Sequence, residues 1–276
     1  MNKDSKFLSG NEYCHRELFG GDTKMIIPDL QRDYCWGDKI HTTEKKELVT
    51  GFVSTLIEQF DNKQGTESLN LGLIYGYEAP ENHIQLCDGQ QRITTLFLLL
   101  GMLNRAVPNN MFKKYLIADY HYLHDDREPY LQYAIRESSL YFLSDLVCHF
   151  FIHEKDDRYC VDKVEKIKES AWFFKEYNLD PSIQSMIRAL SVIHSIIKEK
   201  SETWCINFGT YITQKLTFMY YDMGNRKNGE ETFVVINTTG EPLTNTQNLK
   251  PLISMERLNE AYNREDEEHI AHTLSE

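Results

Sequence analysis

The stretch Ile84-Gln85-Leu86-Cys87-Asp88-Gly89-Gln90-Gln91-Arg92-Ile93-Thr94-Thr95-Leu96 constrains the fold of this chain more than any other. A short apolar segment breaks at Gly89 into two amides and an arginine, and the residues that follow, Leu96 to Leu103, are apolar but for Gly101. A run so uniformly apolar reads as a buried helix, so its polar start must face a cleft or other buried partners. The passage from strand through glycine into helix leaves backbone N–H groups without acceptors and puts the positive end of the helix dipole at the junction. Such a junction suits an anion, phosphate above all. Two readings of these residues stand side by side. In the first, Asp88 and Gln91 form a capping box, the aspartate accepting from the helix and the glutamine reaching back, while Gly89, Gln90 and Arg92 are a turn and wet surface. In the second, the cap is also a ligand site.

A chain of 276 residues can bury a substantial core, as one large domain or two of ordinary size. Apolar residues make up 41% and charged residues 26%, the balance of a folded chain rather than a disordered one. With 42 acidic against 30 basic residues the net charge is -12, which argues against broad attraction to nucleic acid or to anionic membranes. Any DNA surface is therefore local. The six cysteines, Cys14, Cys35, Cys87, Cys148, Cys160 and Cys205, form no C-x-x-C pair and read as reduced thiols of a cytoplasmic protein. The N-terminus has no apolar core of a signal peptide, and Leu96–Leu103 falls far short of the roughly 20 residues that span a bilayer. A cytoplasmic location and no membrane partner are expected.

Residues 1 to about 24 read as a loosely packed lead-in, and Met25-Ile26-Ile27-Pro28 as an extended segment, because the residue before proline avoids the helical region. The spacing of Leu48, Val49, Phe52, Val53, Leu56, Ile57 and Phe60 predicts an amphipathic helix over Glu44 to Phe60. Leu69 to Tyr77 and His83 to Cys87 are predicted strands separated by the turn Glu78-Ala79-Pro80-Glu81-Asn82. Beyond Pro108 helical periods dominate, over 110–120, 129–154, 161–178 and 182–199, followed by a strand at Leu216 to Tyr221. Glu230 to Ile236 reads as a helix ending at Asn237-Thr238-Thr239-Gly240, and Asn245 to Asn259 as one more. His121, His124, Asp125 and Asp126 read as a solvated loop rather than a metal site. Lys45 with Lys46, and Lys113 with Lys114, are two small basic pairs of the kind that exposed helix faces often carry.

Three separated segments together resemble the N-terminal domain of GmrSD-type modification-dependent restriction enzymes. Ile27-Pro28-Asp29-Leu30-Gln31-Arg32-Asp33-Tyr34-Cys35-Trp36 resembles that family's IPxxQRxYxW signature. Asp88-Gly89-Gln90-Gln91-Arg92 with Thr94-Thr95-Leu96 is similar throughout to its DGQQRxTTL hallmark. Phe233 to Leu243, with Asn237 and Gly240, resembles its FxxxNxxGxxL element. Members usually carry an aspartate four residues after that leucine. This chain has Gln247 there and keeps Lys250 nearby.

The resemblance implies an α+β fold, a small ParB/sulfiredoxin-like α/β domain over residues 1–108 followed by a mainly helical domain over 109–276. It implies binding and hydrolysis of a nucleoside triphosphate, classically GTP, with Mg²⁺, coupled to restriction of modified or phage DNA. Modified double-stranded DNA and a partner nuclease domain or subunit follow as partners, since no HNH-type nuclease segment is found in the sequence. Without a Walker A sequence, hydrolysis would not use a P-loop. Arg32 and Arg92 are then the phosphate clamps, because a guanidinium bonds phosphate oxygens in fixed pairs. Asp88 orients water or holds the metal, and Gln90 or Gln91 positions the attacking water, which with Arg92 makes Asp88, Gln90, Gln91 and Arg92 the catalytic set. Gln31, Gly89, Thr94 and Thr95 complete the nucleotide contacts. Tyr34 and Trp36 either stack on the base or anchor their loop, and Asn237, Gly240 and Lys250 close the cleft from the second half. Two alternatives remain: a noncatalytic sensor of nucleotide or modified DNA that regulates a partner nuclease, and a weak DNA-nicking enzyme with Asp88 as metal ligand. The latter has few other carboxylates near the motif to complete a metal site.

Overall fold

Asp88 ends one strand of a mixed sheet that runs through most of the chain. The computed structural model describes residues 7–38, 48–118, 128–152 and 159–231. The expected third element with Asn237, Gly240, Gln247 and Lys250, the pair Lys45 and Lys46, and the loop with His121, His124, Asp125 and Asp126 lie outside the described residues.

In chain order the elements are β1 (Glu12–Cys14), α1 (His15–Leu18), β2 (Lys24–Ile27), α2 (Leu48–Lys63), β3 (Leu69–Glu78), β4 (His83–Asp88), α3 (Gln90–Ala106), β5 (Ile117–Ala118), β6 (Glu128–Pro129), β7 (Leu131–Tyr133), α4 (Glu137–Leu146), α5 (Pro181–Ile197), α6 (Glu202–Lys215) and β8 (Leu216–Asp222). Residues 226–231 are helical again. Six strands form one sheet in the order β1-β8-β3-β4-β2-β7, and β5 and β6 make a separate two-stranded ribbon. The sheet is mixed: β8 runs parallel to β3, β3 antiparallel to β4, and β4 parallel to β2, which is parallel to β7. The class is α+β. Strands from both sides of residue 108 share this sheet, because β8 inserts between β1 and β3, and β7 extends β2 at the far edge.

α3 is the central element. Apart from Arg92, every residue from Gln90 to Asn104 is buried, and the helix packs against α5 and α6. Burying a helix on all sides also buries its polar residues, and each finds a partner as such groups must. Asn104 donates to the Phe151 carbonyl at 2.9 Å and accepts from the Phe112 N–H at 2.8 Å. Asp180 starts α5, accepting from the N–H groups of Ser182 and Ile183 at 2.9 and 3.3 Å, with Pro181 in the first turn where its missing N–H costs nothing. Among the described residues no helix is long and apolar enough to cross a membrane.

Several local expectations change. The lead-in is packed rather than loose: β1 pairs with β8, and Leu18 and Phe19 are fully buried. The helix expected over 129–154 starts only at Glu137, because Leu131–Tyr133 is drawn out as a strand alongside β2; α4 then passes into a π-helical turn at Val147–Phe151. The helices expected over 110–120 and 161–178 are short 3-10 turns, at Pro108–Asn110, Lys113–Tyr115, Val164–Glu169 and Lys175–Leu179. α6 carries no clear helical signal, since its Thr, Ile, Tyr and Gly209 are weak helix formers. Its one local cue is Ser201, whose hydroxyl accepts from the Trp204 N–H at 3.2 Å.

Candidate functional site

Gly89 makes the turn from β4 into α3 with φ at +93°, and a Cβ there would sit 2.5 Å from the Ile74 side chain. Both the left-handed backbone and the close approach call for glycine. Among the described residues no side chain caps the helix that follows. Its first turn, Gln90 to Arg92, lines a cavity of about 150 Å³ with Asp88, Gly89, Gln31, Arg32 and Trp36. Residues from two distant segments, 31–36 and 88–92, thus meet at one uncapped helix start, where the backbone supplies donors and a positive potential.

The capping box does not form. The Asp88 carboxylate pairs instead with Arg92 Nη2 at 3.2 Å. Gln91 reaches outward to the loop after β2, where its amide nitrogen donates to the Asp33 carbonyl at 2.9 Å and its oxygen accepts the Cys35 N–H at 3.0 Å. Gln90 does the same one residue earlier, donating to the Arg32 carbonyl at 2.6 Å. Gln31 returns the contact by donating to the carbonyls of Leu86 and Cys87 at 3.1 and 2.8 Å. All three amides lie in buried surroundings and act as cross-links between segments that form no sheet ladder with each other. The loop's other side is tied to α5: Ser182 and Ser185 accept the N–H groups of Tyr34 and Gly37, each at 3.1 Å. Gly37 lies so close to α5 that a Cβ would overlap the Ser185 carbonyl.

The two arginines differ in kind. Arg92 donates to the carbonyls of Leu71 and Leu73 in β3 at 2.6 and 2.7 Å as well as to Asp88, so much of its fork serves the fold. Arg32 lines the same cavity half-buried, and its guanidinium has no hydrogen bond or ion pair among the described residues. The side chain of Asp88 keeps one oxygen clear of Arg92.

Tyr34, Thr94 and Thr95 sit in the core rather than at the cavity. All three are fully buried; the Tyr34 hydroxyl bonds Thr95 Oγ1 at 2.8 Å, and Thr94 Oγ1 bonds the Tyr133 hydroxyl at 2.6 Å. Burial drives the Tyr34 and Tyr133 hydroxyls well above their ordinary pKa, so both stay protonated. Trp36 does reach the cavity, with its ring packed edge-on against Phe52 at 5.2 Å.

Some residues near the site carried no sequence signal. Arg136 holds Asp33 through two hydrogen bonds, at 2.5 and 3.2 Å, and stands 3.5 Å from the buried Asp180. Glu230, only 4% exposed, accepts from Arg226 Nε at 2.6 Å, and Arg226 in turn lies 3.7 Å from Asp29. Between Asp88 and Glu230 the buried Cys87 thiol is pushed up to about 12, first by desolvation and then by the two carboxylates. It is an inert thiol at neutral pH. Asp180 before Pro181 is the one member of this set that a capping pattern marks in advance.

A family model described as GmrSD restriction endonuclease, N-terminal domain, matches residues 15–254 of the chain. No curated protein matches it.

Proposed function

The chain belongs to the family of GmrSD restriction endonuclease N-terminal domains, which gives it a restriction-related role, and we propose that within that role it binds a nucleoside triphosphate, GTP first, with the phosphates at the start of α3, and hydrolyses it to drive restriction of modified or phage DNA. One observation carries the reading. Arg32 is a half-buried cation with no partner among the described residues, held at the mouth of an uncapped helix start. A guanidinium in that position gains most from a phosphate, which it can grip with two parallel hydrogen bonds. Arg92 adds charge from a fixed platform. Mg²⁺ fits the donor set, because it is usually held by one or two carboxylates and the phosphates of its nucleotide, and Asp88 has an oxygen to give. When bound, the ion would neutralise charge on the phosphates; Arg32 and the first turn of α3 orient them. Asn237, Gly240 and Lys250 enter this reading from the resemblance, as groups that close the cleft. A nuclease domain or subunit and DNA complete the system.

A second reading, a noncatalytic sensor, is favoured by the engagement of the glutamines. Gln91 uses both ends of its amide on the loop and Gln90 uses its nitrogen, so the groups expected to position water are occupied with structure. Nicking by a metal centre has less support, since no three His, Cys, Asp or Glu side chains gather into a metal-binding group among the described residues.

The test is release of inorganic phosphate from GTP, ATP, CTP and UTP with Mg²⁺, beside equilibrium binding of each, for the wild type, Arg32→Ala and Asp88→Ala. Turnover lost in both variants supports the hydrolase and identifies its base preference. Binding that Arg32→Ala removes, without turnover in the wild type, moves the conclusion to the sensor. Absence of both binding and turnover overturns the nucleotide reading.

A further inference from the structure

The cavity at the start of α3 measures about 150 Å³, whereas pockets that enclose a whole small molecule begin at roughly 300 Å³. A nucleotide with its phosphates there has to lay its sugar and base on adjoining surface. The register of the sheet identifies that surface. Tyr75 of β3 is the pairing partner of Asp88 in β4 on one side and of Tyr221 in β8 on the other. Tyr75 and Tyr221 pair in regular register and so carry their side chains on the same face, whereas Asp88 meets Tyr75 at a register shift, where Cys87 is the extra residue of β4. Asp88, Tyr75 and Tyr221 therefore occupy neighbouring backbone positions across three strands, a row that starts at the cavity wall and extends, at about 4.8 Å per strand, roughly 10 Å from it. That is the distance a base stands from its own phosphates.

The two tyrosines are arranged to receive a flat ring. Their ring centroids are 5.8 Å apart with planes inclined at 29°, Tyr221 is 38% exposed, and Tyr75 is half-buried beside it. Neither hydroxyl has a hydrogen-bond partner among the described residues, so neither ring is held in place by its polar end. Trp36, the other aromatic at the cavity, is already fixed as wall, with its ring against Phe52 and its carbonyl accepting the Val49 N–H at 3.0 Å.

We propose that Tyr75 and Tyr221 form the base platform of the nucleotide site, a stacking surface for the heterocycle of a nucleoside triphosphate whose phosphates lie against Arg32. The inference rests on the triphosphate reading above and goes beyond it in assigning the base. Stacking on tyrosine is available to any base, since every base has a π-face, so the platform supplies affinity while selectivity among bases comes from edge contacts.

Equilibrium binding of GTP and of inorganic tripolyphosphate, each with Mg²⁺, to the wild type and to Tyr75→Ala, Tyr221→Ala and Tyr75→Phe tests it. Each alanine variant is expected to weaken GTP about tenfold and to change tripolyphosphate by no more than about twofold, with Tyr75→Phe close to wild type because the ring is kept. GTP affinity untouched by both alanine substitutions overturns the platform and leaves the anion site standing. Equal weakening of GTP and tripolyphosphate also overturns it, as damage to the sheet rather than loss of a stack. Failure of the wild type to bind either ligand overturns the platform together with the triphosphate reading.

Discussion

Gln91 holds Cys35 as a neighbouring strand would: its side-chain oxygen accepts the Cys35 N–H at 3.0 Å while its nitrogen donates to the Asp33 carbonyl at 2.9 Å. One carboxamide thus satisfies a donor and an acceptor of a loop that has no ladder of its own. With Gln90 and Gln31 doing related work, the polar cluster that marks this chain so clearly fastens two halves of a cavity wall. Replacing Gln91 with alanine removes one hydrogen bond from each of two part-buried backbone groups, at about 1–3 kcal/mol. Urea unfolding should show that loss, and amide exchange at Cys35 should quicken. Stability equal to wild type would mean that the loop is held without Gln91.

Arg32 and Arg92 should separate binding from stability. Arg92→Ala strips a donor from the carbonyls of Leu71 and Leu73 and from Asp88, and is expected to cost about 1–3 kcal/mol. Arg32→Ala breaks no hydrogen bond or ion pair among the described residues, so its stability should stay within about 0.5 kcal/mol of wild type while tripolyphosphate binding falls at least about tenfold. Thermal unfolding and calorimetric titration of both variants read the two effects.

Gly37→Ala should be among the more damaging single-methyl changes in the chain. The new Cβ would overlap the Ser185 carbonyl on α5, and main chain gives way far less readily than a side chain. A loss of about 1–3 kcal/mol is expected, with weakening of the Gly37 N–H bond to Ser185 Oγ. Unchanged unfolding would show that the loop can lift off α5 freely.

His15 gives the stability a pH dependence of known sign. Its ring is fully buried and stacked on Phe19 at 4.5 Å, neither nitrogen has a hydrogen-bond partner among the described residues, and desolvation lowers its pKa from 6.5 to about 3. Between those values the unfolded chain binds a proton that the folded chain does not. This contribution is therefore complete above about pH 6.5 and is lost on acidification, at about 1.4 kcal/mol per pH unit. His15→Leu should flatten the acid limb of a stability curve by about one proton and leave neutral stability close to wild type. An unaltered limb would place the protonation elsewhere.

Separating the chain at residue 108 should not yield a folded N-terminal piece. Residues 1–108 lack β8, which lies between β1 and β3, and β7, which covers the free edge of β2. Fluorescence and circular dichroism of that fragment are expected to show no cooperative unfolding transition. A sharp transition would establish the first part as an independent domain.

The helix of α3, the strands β2, β3, β4 and β8 and the meeting of segments 27–36 and 88–92 were legible from the chain alone, because each has a strong period, a glycine break or a family pattern. What was not legible came from partners distant in sequence. Leu131–Tyr133 became a strand because β2 offered an edge, and α6 is a helix of poor formers held by packing. Thr94 and Thr95 looked like ligand contacts because their polarity was visible, whereas the hydroxyls of Tyr133 and Tyr34 that receive them were not. The contrast between Arg32 and Arg92 was hidden for the same reason: the carbonyls of Leu71 and Leu73 carry no trace in the sequence of their use as acceptors.

The position of β8 has a consequence for how this protein comes into being. Its pairing joins residues near 13 and near 75 to residues near 220. During synthesis, the early strands leave the ribosome long before the strand that fills the gap between them, and their edges stay open in the meantime. Contacts of such sequence separation form slowly and expose pairing edges to other chains while they wait. The nascent protein therefore completes its sheet late, and its most vulnerable interval lies between the emergence of β4 and that of β8.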